Sequence, residues 1–297
     1  QLVLNFHSKA LATHRLQAGK WIGSKQQDPR QVRMVEKYTH GHHQSVVKVH
    51  NARSVEDSAA FVLPLLQPHF KLLDVGCGPG SITQGFREYV KEVVGVDTSE
   101  EVIAQAKATC DAQNVQFQVA SVYKLPFDDE TFDVVYAHQV LQHLAQPVVA
   151  LREMCRTLKP GGFVAVRDAI YSTMQGAPVM PGIQRWREVY MATARQNGSE
   201  PDAGLFLKQW MIRAGLLEIS YNSTTVTYTS NDEDRRKAFG DSWAERTVKT
   251  FGRQAVDLGL AQDSDLVVIE AAWKEWAADS SAIFLYVNGE AIGHKSR

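Results

Sequence analysis

Three glycines at alternate positions, Gly76, Gly78 and Gly80, follow a short apolar run that starts at Lys71. The run K-L-L-D-V is typical of a buried strand, and the stretch S-I-T-Q-G-F-R-E-Y-V after the glycines has the apolar spacing of a helix. Glycine lets the backbone approach a ligand closely, and free amides at a helix N-terminus bind polar or anionic groups. The order strand, glycine turn and helix therefore predicts a nucleotide-binding loop.

The next strand-like run, E-V-V-G-V-D, ends in Asp97. An acid about 20 residues beyond the first glycine can accept hydrogen bonds from ribose hydroxyls. The glycine spacing is G-C-G-P-G instead of the G-x-G-x-x-G of pyrophosphate loops, so the pattern favours an adenosine site over a dinucleotide site. The alternative is that Asp97 only caps the following helix, a role that Thr98 or Ser99 could fill as well.

Strand-like and helix-like segments alternate along the rest of the chain. Strands are predicted at 72–76, 92–96, 115–120, 132–136, 162–168, 216–228 and 282–293, and helices at 81–90, 99–112, 147–158, 183–196 and 204–215. Strands joined by helices of about ten or more residues pair in parallel, through right-handed crossovers. The predicted fold class is therefore α/β, a doubly wound, mostly parallel seven-stranded sheet with helical N-terminal and C-terminal lid additions.

Two segments are expected to border the ligand crevice. Residues 232–278 have helical periodicity and would be inserted between the last two strands. The stretch Y-S-T-M-Q-G-A-P-V-M-P-G-I-Q-R-W, which starts at Tyr171, has the Gly, Pro and Met content of a mobile apolar wall. Together with residues 30–55, both segments would form a lid over the carboxyl ends of the strands.

The composition excludes several classes of protein. The chain has 297 residues, is 44% hydrophobic and 22% charged, and has a formal net charge of -1. It can bury a full core, but it offers no clustered positive charge for nucleic acid or an acidic membrane. No run approaches the roughly 20 apolar residues of a membrane-spanning helix. Cys77, Cys110 and Cys155 are dispersed, which suits reduced thiols in the cytoplasm.

The N-terminal segment has an unusual charge pattern. Residues 1–27 contain Lys9, Arg15, Lys20 and Lys25 but no acid, a bias shared with organelle transit peptides. We expect a leader or loosely packed arm over residues 1–34. Mitochondrial targeting is the alternative to a cytoplasmic location.

Four stretches, in matching order, resemble the class I S-adenosylmethionine-dependent methyltransferases, and among them the ubiquinone/menaquinone-biosynthesis type. They are L-L-D-V-G-C-G-P-G, V-V-G-V-D-T-S-E-E-V-I, L-P-F-D-D-E-T-F-D-V-V-Y-A-H-Q-V-L-Q-H-L and L-R-E-M-C-R-T-L-K-P-G-G-F-V-A-V. The resemblance implies S-adenosylmethionine as cofactor and a methyltransferase domain over 35–230. A helical insertion over 231–280 and a last strand and tail over 281–297 would complete the chain.

The resemblance also implies roles for single residues. The cofactor-binding residues that we expect are Tyr38, His43, Gly76, Cys77, Gly78, Asp97, Thr98, Ser121, Val122 and His138. Asp97 would bind the ribose diol, and the bare loop would lie against the methionine and ribose. Ser121 stands where the family usually has an Asp that accepts the adenine amine, and a serine hydroxyl is a shorter, uncharged acceptor.

His138 follows the strand F-D-V-V-Y-A and would face the reactive end of the cofactor. It is the candidate catalytic base, because histidine ordinarily titrates near neutral pH. The alternative for His138, and for His143, is a satisfied structural histidine. Aromatic faces can stabilise a sulfonium, which gives Tyr38, Tyr123 or Trp186 a candidate role.

A metal site is not expected. The histidines at 40, 42 and 43 have no Cys or carboxylate at ligand spacing, so we expect contact with the cofactor carboxylate or the substrate instead. Trp243, Trp273 and Trp276 are expected in the core of the C-terminal helices.

The expected function is methyl transfer to a small, largely apolar molecule of quinone, sterol or secondary-metabolite type. Nucleic acid and stable membrane insertion are not expected, and the oligomeric state stays open. Two alternatives remain at this point: a protein of this fold that binds the cofactor but performs other chemistry such as cyclisation, and an NAD-dependent oxidoreductase.

Overall fold

The computed structural model describes Thr39 and residues 53–297. The strands are β1 (Lys71–Val75), β2 (Glu92–Asp97), β3 (Val115–Val119), β4 (Phe132–His138), β5 (Leu158–Ala177), β6 (Leu217–Tyr228) and β7 (Ile283–His294). The helices are α1 (Val55–Ala59), α2 (Ser81–Gly85), α3 (Glu100–Thr109), α4 (Pro147–Thr157), α5 (Pro181–Gln196), α6 (Leu207–Ala214), α7 (Glu233–Lys249), α8 (Phe251–Asp257) and α9 (Asp263–Ala278).

In this part of the chain, seven strands form one sheet in the order β3-β2-β1-β4-β5-β7-β6. Strand β1 pairs in parallel with β2 and β4, β2 with β3, and β4 with β5, whereas β7 runs antiparallel to β5 and β6. The predicted doubly wound, mostly parallel sheet is confirmed. The carboxyl ends of β1, β2 and β4 meet at one edge, which is where ligands bind in such sheets.

Local sequence explains where several helices begin and end. Ser99 caps α3, because its Oγ accepts a hydrogen bond from the Val102 amide at 3.3 Å. Helices α4 and α5 each begin with a proline, which suits the first helical position. Helix α6 ends at Gly215, whose φ of 95° is the left-handed conformation of many helix C-termini.

A buried ion pair joins the three strands at the antiparallel side of the sheet. Nε of Arg167 in β5 lies 2.9 Å from Oε1 of Glu290 in β7, and both side chains are less than a tenth exposed. The hydroxyl of Thr224 in β6 donates to the same Glu290 oxygen at 2.6 Å. Because each buried charge has a partner, the desolvation cost of the pair is offset and β5, β7 and β6 are held in register.

The C-terminal helices enclose an aromatic core. Helix α5 contributes Trp186, which lies 4.5 Å from Trp243 of α7 and 5.0 Å from Trp273 of α9, measured between ring centroids. Both pairs meet edge to face, the arrangement that aromatic quadrupoles favour. Trp273 and Trp276 are fully buried and Trp243 nearly so, as expected of core residues.

The segment after the fifth predicted strand differs from the expectation. The strand was expected to end at residue 168, but β5 continues to Ala177 because Gln175–Ala177 pair with β7 beyond a register shift. The predicted mobile wall is therefore divided between ordered elements: Tyr171–Ala177 belong to β5, and Pro181 begins α5. Helix α2 is also shorter than expected, since a 3-10 turn at Phe86–Glu88 follows Gly85.

Among the described residues, no helix combines the length and the apolar character that crossing a bilayer requires.

Candidate active site

The loop after β1 is formed by backbone with little side-chain cover. Gly76, Gly78 and Gly80 have φ values of 69°, 54° and 86°. The amides of Gly76 and Cys77 donate to the carbonyl oxygen of Val96 at 2.7 and 3.0 Å, which fixes the loop to the end of β2. A Cβ on Gly76 would overlap the side chain of Val140, so the loop can approach the residues after β4 only because position 76 is glycine.

Asp97 ends β2 and faces this loop. Its Oδ2 accepts from the Gly78 amide at 3.2 Å, and its Oδ1 accepts from the Ser99 amide at 3.0 Å. The helix-cap alternative does not hold for Asp97, because the hydroxyl of Ser99 caps α3. A carboxylate has about four lone-pair sites, so Asp97 can accept hydrogen bonds from a diol in addition to these two.

The turn after β3 supplies the third part of the site. The hydroxyl of Ser121 accepts from the Tyr123 amide at 3.3 Å and can still donate or accept a further hydrogen bond. Val122 is buried beside it, and Thr98 lies across the same cavity. This combination of an apolar surface and a few hydrogen-bonding groups suits a flat heterocycle.

Burial shifts the pKa of two groups behind the loop towards their neutral forms. Burial raises the pKa of Asp74 to about 7, while the Thr83 hydroxyl donates to its Oδ2 at 2.6 Å. Burial also raises the pKa of the Cys77 thiol well above its ordinary value. Cys77 is therefore a thiol rather than a thiolate, and it acts as loop backbone instead of a nucleophile.

His138 ends β4 and contacts Tyr136. The Tyr136 hydroxyl donates to the carbonyl oxygen of Ser58 at 2.7 Å, and its oxygen lies 3.4 Å from Nδ1 of His138. Because the hydroxyl proton is already used, we assign the proton of the second contact to Nδ1. A neutral His138 then carries its lone pair on Nε2, as a general base requires.

Gln139, the next residue, has the left-handed φ of 54°, which costs a residue other than glycine about 1 kcal/mol or more. Its amide donates to the Arg167 carbonyl oxygen at 2.7 Å, and its side-chain oxygen accepts from Arg53 at 2.6 Å. Strain of this kind persists where surrounding contacts fix it, commonly at a functional site.

The turn at Leu141–His143 is fixed by Asp168 of β5. Oδ1 of Asp168 accepts from the Gln142 amide at 3.1 Å, and the side-chain oxygen of Gln142 accepts from the Ala169 amide at 3.1 Å. Asp168 is fully buried, and burial raises its pKa to about 8. The turn that carries His143 is thereby tied to the neighbouring strand.

One cavity of about 290 Å³ joins these parts. It is lined by every predicted cofactor-binding residue that the structure describes: Gly76, Cys77, Gly78, Asp97, Thr98, Ser121, Val122 and His138. Tyr38 and His43, like the neighbouring histidines at 40 and 42, lie outside the described residues. Tyr123 also lines the cavity, whereas Trp186 lies in the aromatic core and does not.

The opposite wall of the cavity contains residues that the sequence did not single out. They come from the ends of β5, β6 and β7, from α7, and from the start of the described chain: Arg53, Tyr171, Met174, Tyr228, Phe239, Ser242, Arg246 and Tyr286. Trp243 belongs both to this wall and to the core. No local signal in the sequence marks Arg246, because it lies in a helix that is rich in charged residues.

The site fits the donor that the sequence motifs imply. The loop at Gly76 leaves space that a side chain would fill, Asp97 offers carboxylate lone pairs to a ribose diol, and Ser121 offers a hydroxyl to an adenine amine. These groups line one continuous cavity at the carboxyl edge of the sheet.

The chain is similar to known methyltransferases over most of its length. The family model described as a methyltransferase domain matches residues 73–166. An uncharacterized methyltransferase of Schizosaccharomyces pombe is 34% identical over 272 residues, which cover 87% of this chain and 96% of that protein. The 27-O-demethylrifamycin SV methyltransferase of Amycolatopsis mediterranei is 32% identical over 173 residues, which cover 52% of this chain and 62% of that protein.

Among solved structures, the YcgJ protein from Bacillus subtilis has the same fold, with a TM-score of 0.51 and 20% identity over 86% of this chain and 100% of that one. The relative from Schizosaccharomyces pombe extends the match beyond the fold, because it aligns with nearly the whole chain. The chain therefore belongs to the class I S-adenosylmethionine-dependent methyltransferases, and S-adenosylmethionine is its methyl donor.

Proposed function

We propose that this methyltransferase acts on a small, largely apolar, ring-containing organic molecule of the quinone, sterol or secondary-metabolite class. The observation that supports this proposal is the composition of the cavity wall. Tyr171, Tyr228, Phe239, Trp243 and Tyr286 line the same cavity as the glycine loop and His138. Each of these five rings is less than a tenth exposed, and such a wall binds a flat apolar molecule through burial and ring contacts.

In this proposal, different parts of the chain bind the methyl donor and the methyl acceptor. Residues 35–230 supply the donor site, and residues 231–280 supply much of the wall against which the acceptor lies. When bound, S-adenosylmethionine supplies a methyl group whose bond to sulfur breaks with its electron pair remaining on the sulfur. Asp97 and the loop at Gly76–Gly78 fix the donor's orientation, and the aromatic wall excludes water from the reacting atoms.

His138 acts as the general base in this proposal. An acceptor oxygen or nitrogen that carries a proton would lose it to Nε2 as the new bond to carbon forms. Tyr136 holds the complementary proton on Nδ1, which places the lone pair of the neutral ring on Nε2. The histidine is thus a catalytic residue and Tyr136 is a positioning residue.

Titration calorimetry with adenosylhomocysteine tests the donor site. We expect Asp97→Ala to weaken binding by about tenfold or more, because the ribose loses a charged hydrogen-bond partner. Asp111→Asn, on the exposed turn after α3, removes the same charge outside the cavity and should leave the affinity unchanged. An unchanged dissociation constant for Asp97→Ala would refute the role of Asp97.

Transfer of labelled methyl groups to a panel of quinols, sterols and phenols tests the reaction. We expect His138→Ala to lower turnover by about a hundredfold with little change in adenosylhomocysteine affinity. If the variant loses donor binding and turnover together, His138 contributes to the donor site and not to base catalysis.

A further inference from the structure

Two tyrosines on neighbouring strands lie at the acceptor end of the cavity. Tyr228 ends β6 and Tyr286 lies in β7, and both residues line the cavity. Tyr286 pairs with Val226, two residues before Tyr228, so both tyrosine side chains project from the same face of the sheet. They are 8% and 7% exposed. The wall at this end therefore carries two buried phenol groups close to each other.

Packing holds both rings in place. The Tyr228 ring stacks on that of Phe239, with the ring centroids 4.0 Å apart and an interplanar angle of 18°. The guanidinium carbon of Arg235 lies 5.0 Å from the centroid of the Tyr228 ring. Tyr286 is buried in the same hydrophobic cluster as Tyr228 and Phe239. Because the rings are fixed, the positions of the two hydroxyl groups are set before a ligand binds.

The two hydroxyl groups interact with each other. Burial, the charge that an ionised Tyr286 would carry, and the hydrogen bond between the two side chains all raise the pKa of Tyr228 well above its ordinary value. A hydrogen bond raises the pKa of a phenol when it stabilises the protonated form. Tyr228 is therefore the donor of this hydrogen bond, and the oxygen of Tyr286 accepts it.

This arrangement leaves the hydroxyl proton of Tyr286 for a further partner. A phenol has one proton to donate, and the contact between the two tyrosines uses that of Tyr228. Among the residues that the structure describes, no group accepts the proton of Tyr286. A donor in an apolar wall favours a ligand that brings a hydrogen-bond acceptor to it, because burial without an acceptor is costly.

A carbonyl oxygen suits this donor well. It has two lone pairs and no proton of its own, whereas the hydroxyl group of a sterol brings a further proton that needs an acceptor in turn. A carbonyl conjugated with an aromatic ring also lies in the plane of that ring. The ring can then lie against the aromatic wall while its oxygen points towards Tyr286.

We propose that Tyr286 determines substrate specificity by donating a hydrogen bond to the carbonyl oxygen of the methyl acceptor, a hydroxylated aromatic ketone, and that Tyr228 holds the Tyr286 hydroxyl in position. This inference rests on the proposed function, since it concerns the acceptor end of the same cavity. It narrows the acceptor from an apolar ring system to one with a ring-conjugated carbonyl.

The test compares each ketone with a compound that has a methylene group in place of the carbonyl. Hydroxyacetophenone is paired with ethylphenol, and hydroxytetralone with hydroxytetralin. Binding is measured by titration calorimetry at about pH 6, where the phenols keep their protons, with the protein saturated with adenosylhomocysteine. We expect the preferred ketone to bind about fivefold or more tightly than its methylene partner, although the methylene compound is the more apolar of the two.

Tyr286→Phe removes the hydroxyl and keeps the ring. It should weaken ketone binding by about fivefold or more and change the affinity for the methylene compounds by less than about twofold. A residue that only supports the wall would instead affect both compounds of a pair alike. Tyr228→Phe leaves the Tyr286 proton in place and should weaken ketone binding by only about twofold to threefold.

Tyr221→Phe is the matched control. Tyr221 also lies on β6, but its hydroxyl donates to the carbonyl oxygen of Gly204 at 3.0 Å, and the residue does not line this cavity. This variant should keep the full preference for the ketones. The melting temperature and the affinity for adenosylhomocysteine, measured for every variant, show whether the protein is folded and its donor site intact.

The outcomes separate the two proposals. A wild-type protein that binds adenosylhomocysteine but binds the methylene compounds as tightly as the ketones, or binds no compound of the panel, overturns this inference and leaves the proposed function standing. A ketone preference that survives Tyr286→Phe also overturns it. A wild-type protein that does not bind adenosylhomocysteine contradicts the proposed function itself.

Discussion

The hydroxyl oxygen of Tyr136 lies 3.4 Å from Nδ1 of His138, and the two rings are nearly parallel, with an interplanar angle of 15°. We predict that Tyr136→Phe lowers kcat by about fivefold to tenfold, because Nδ1 loses the acceptor that fixes the tautomer. KM and the adenosylhomocysteine affinity should change little. Tyr221→Phe is the control, since its hydroxyl also donates to a backbone carbonyl, that of Gly204 at 3.0 Å, but does not contact His138. Equal losses of kcat in the two variants would contradict the positioning role.

A second prediction concerns crowding at the glycine loop. Gly76→Ala would place a Cβ against Val140 and force a left-handed φ of 69° on alanine. We expect adenosylhomocysteine affinity to fall by about tenfold or more, because the loop must move away from the donor. Gly259 has a similar φ of 70°, but a Cβ there would meet nothing within 4 Å. Gly259→Ala should therefore lose about 1 kcal/mol of stability and no donor affinity. Calorimetric titration and thermal unfolding of both variants check this comparison.

Ser121 offers a test by gain of affinity. Its hydroxyl already accepts from the Tyr123 amide, and the family resemblance implies that an Asp is usual at this position. We predict that Ser121→Asp binds adenosylhomocysteine about threefold or more tightly, because a charged acceptor forms a stronger hydrogen bond with the adenine amine. Ser121→Asn supplies a neutral acceptor of the same size and should gain less. If the Asp variant binds more weakly than wild type, the adenine amine does not lie at this position.

Asp168 should make stability depend on pH. Its folded-state pKa of about 8 is far above the ordinary value of 3.8, so the folded protein keeps a proton that the unfolded chain releases. The stabilisation from Asp168 is therefore fully present below about pH 4 and is lost as pH rises towards 8, with a slope of at most about 1.4 kcal/mol per pH unit. Asp168→Asn should remove this slope.

Denaturant unfolding between pH 4 and pH 8 measures that difference. His143 acts in the opposite direction, because its lowered pKa makes stability rise with pH between about 3 and 6.5. Wild type and Asp168→Asn contain the same His143, so its contribution cancels in the difference between their free energies of unfolding. A difference for Asp168→Asn that stays constant between pH 4 and pH 8 would mean that Asp168 is ionised in the folded protein throughout.

The donor end of the cavity could be predicted from the sequence because its parts are local. The strand, glycine turn and helix around Gly76 are contiguous, and Asp97 ends the very next strand. Parallel pairing of β1 with β2 and β4 then places the loop, Asp97 and His138 at one edge without any further information. Their assignment to individual donor atoms stays a prediction that the proposed titrations address.

Two of the segments that line the acceptor end were predicted to border the crevice, but their individual lining residues were not, because these residues also pack in the core. Trp243 and Phe239 follow the apolar periodicity of a helix packed on a core, and they are indeed core residues. Only the fold brings their outer edges to the cavity together with Tyr286. Arg246 could not be predicted at the cavity either, since a charged residue on an amphipathic helix is normally exposed to solvent.

The burial of Asp74 and Asp168, in contrast, could have been predicted from the sequence. Each is a single acid within a strand whose other residues are mostly apolar, and both are almost fully buried. No local feature of the sequence indicated the length of β5. Its extension to Ala177 depends on pairing with β7, more than a hundred residues further along the chain.

Strand β7 is synthesised after β5 and β6 but lies between them. Until it emerges from the ribosome, β5 has an open edge, and Glu290 is not yet present to accept the charge of Arg167. The residues of the proposed donor site from Asp74 to Val140 have been translated long before, whereas Tyr286 of the proposed acceptor wall arrives only with β7. We therefore expect the nascent polypeptide to acquire its affinity for the nucleoside first and its affinity for the molecule to be modified only when translation is nearly finished.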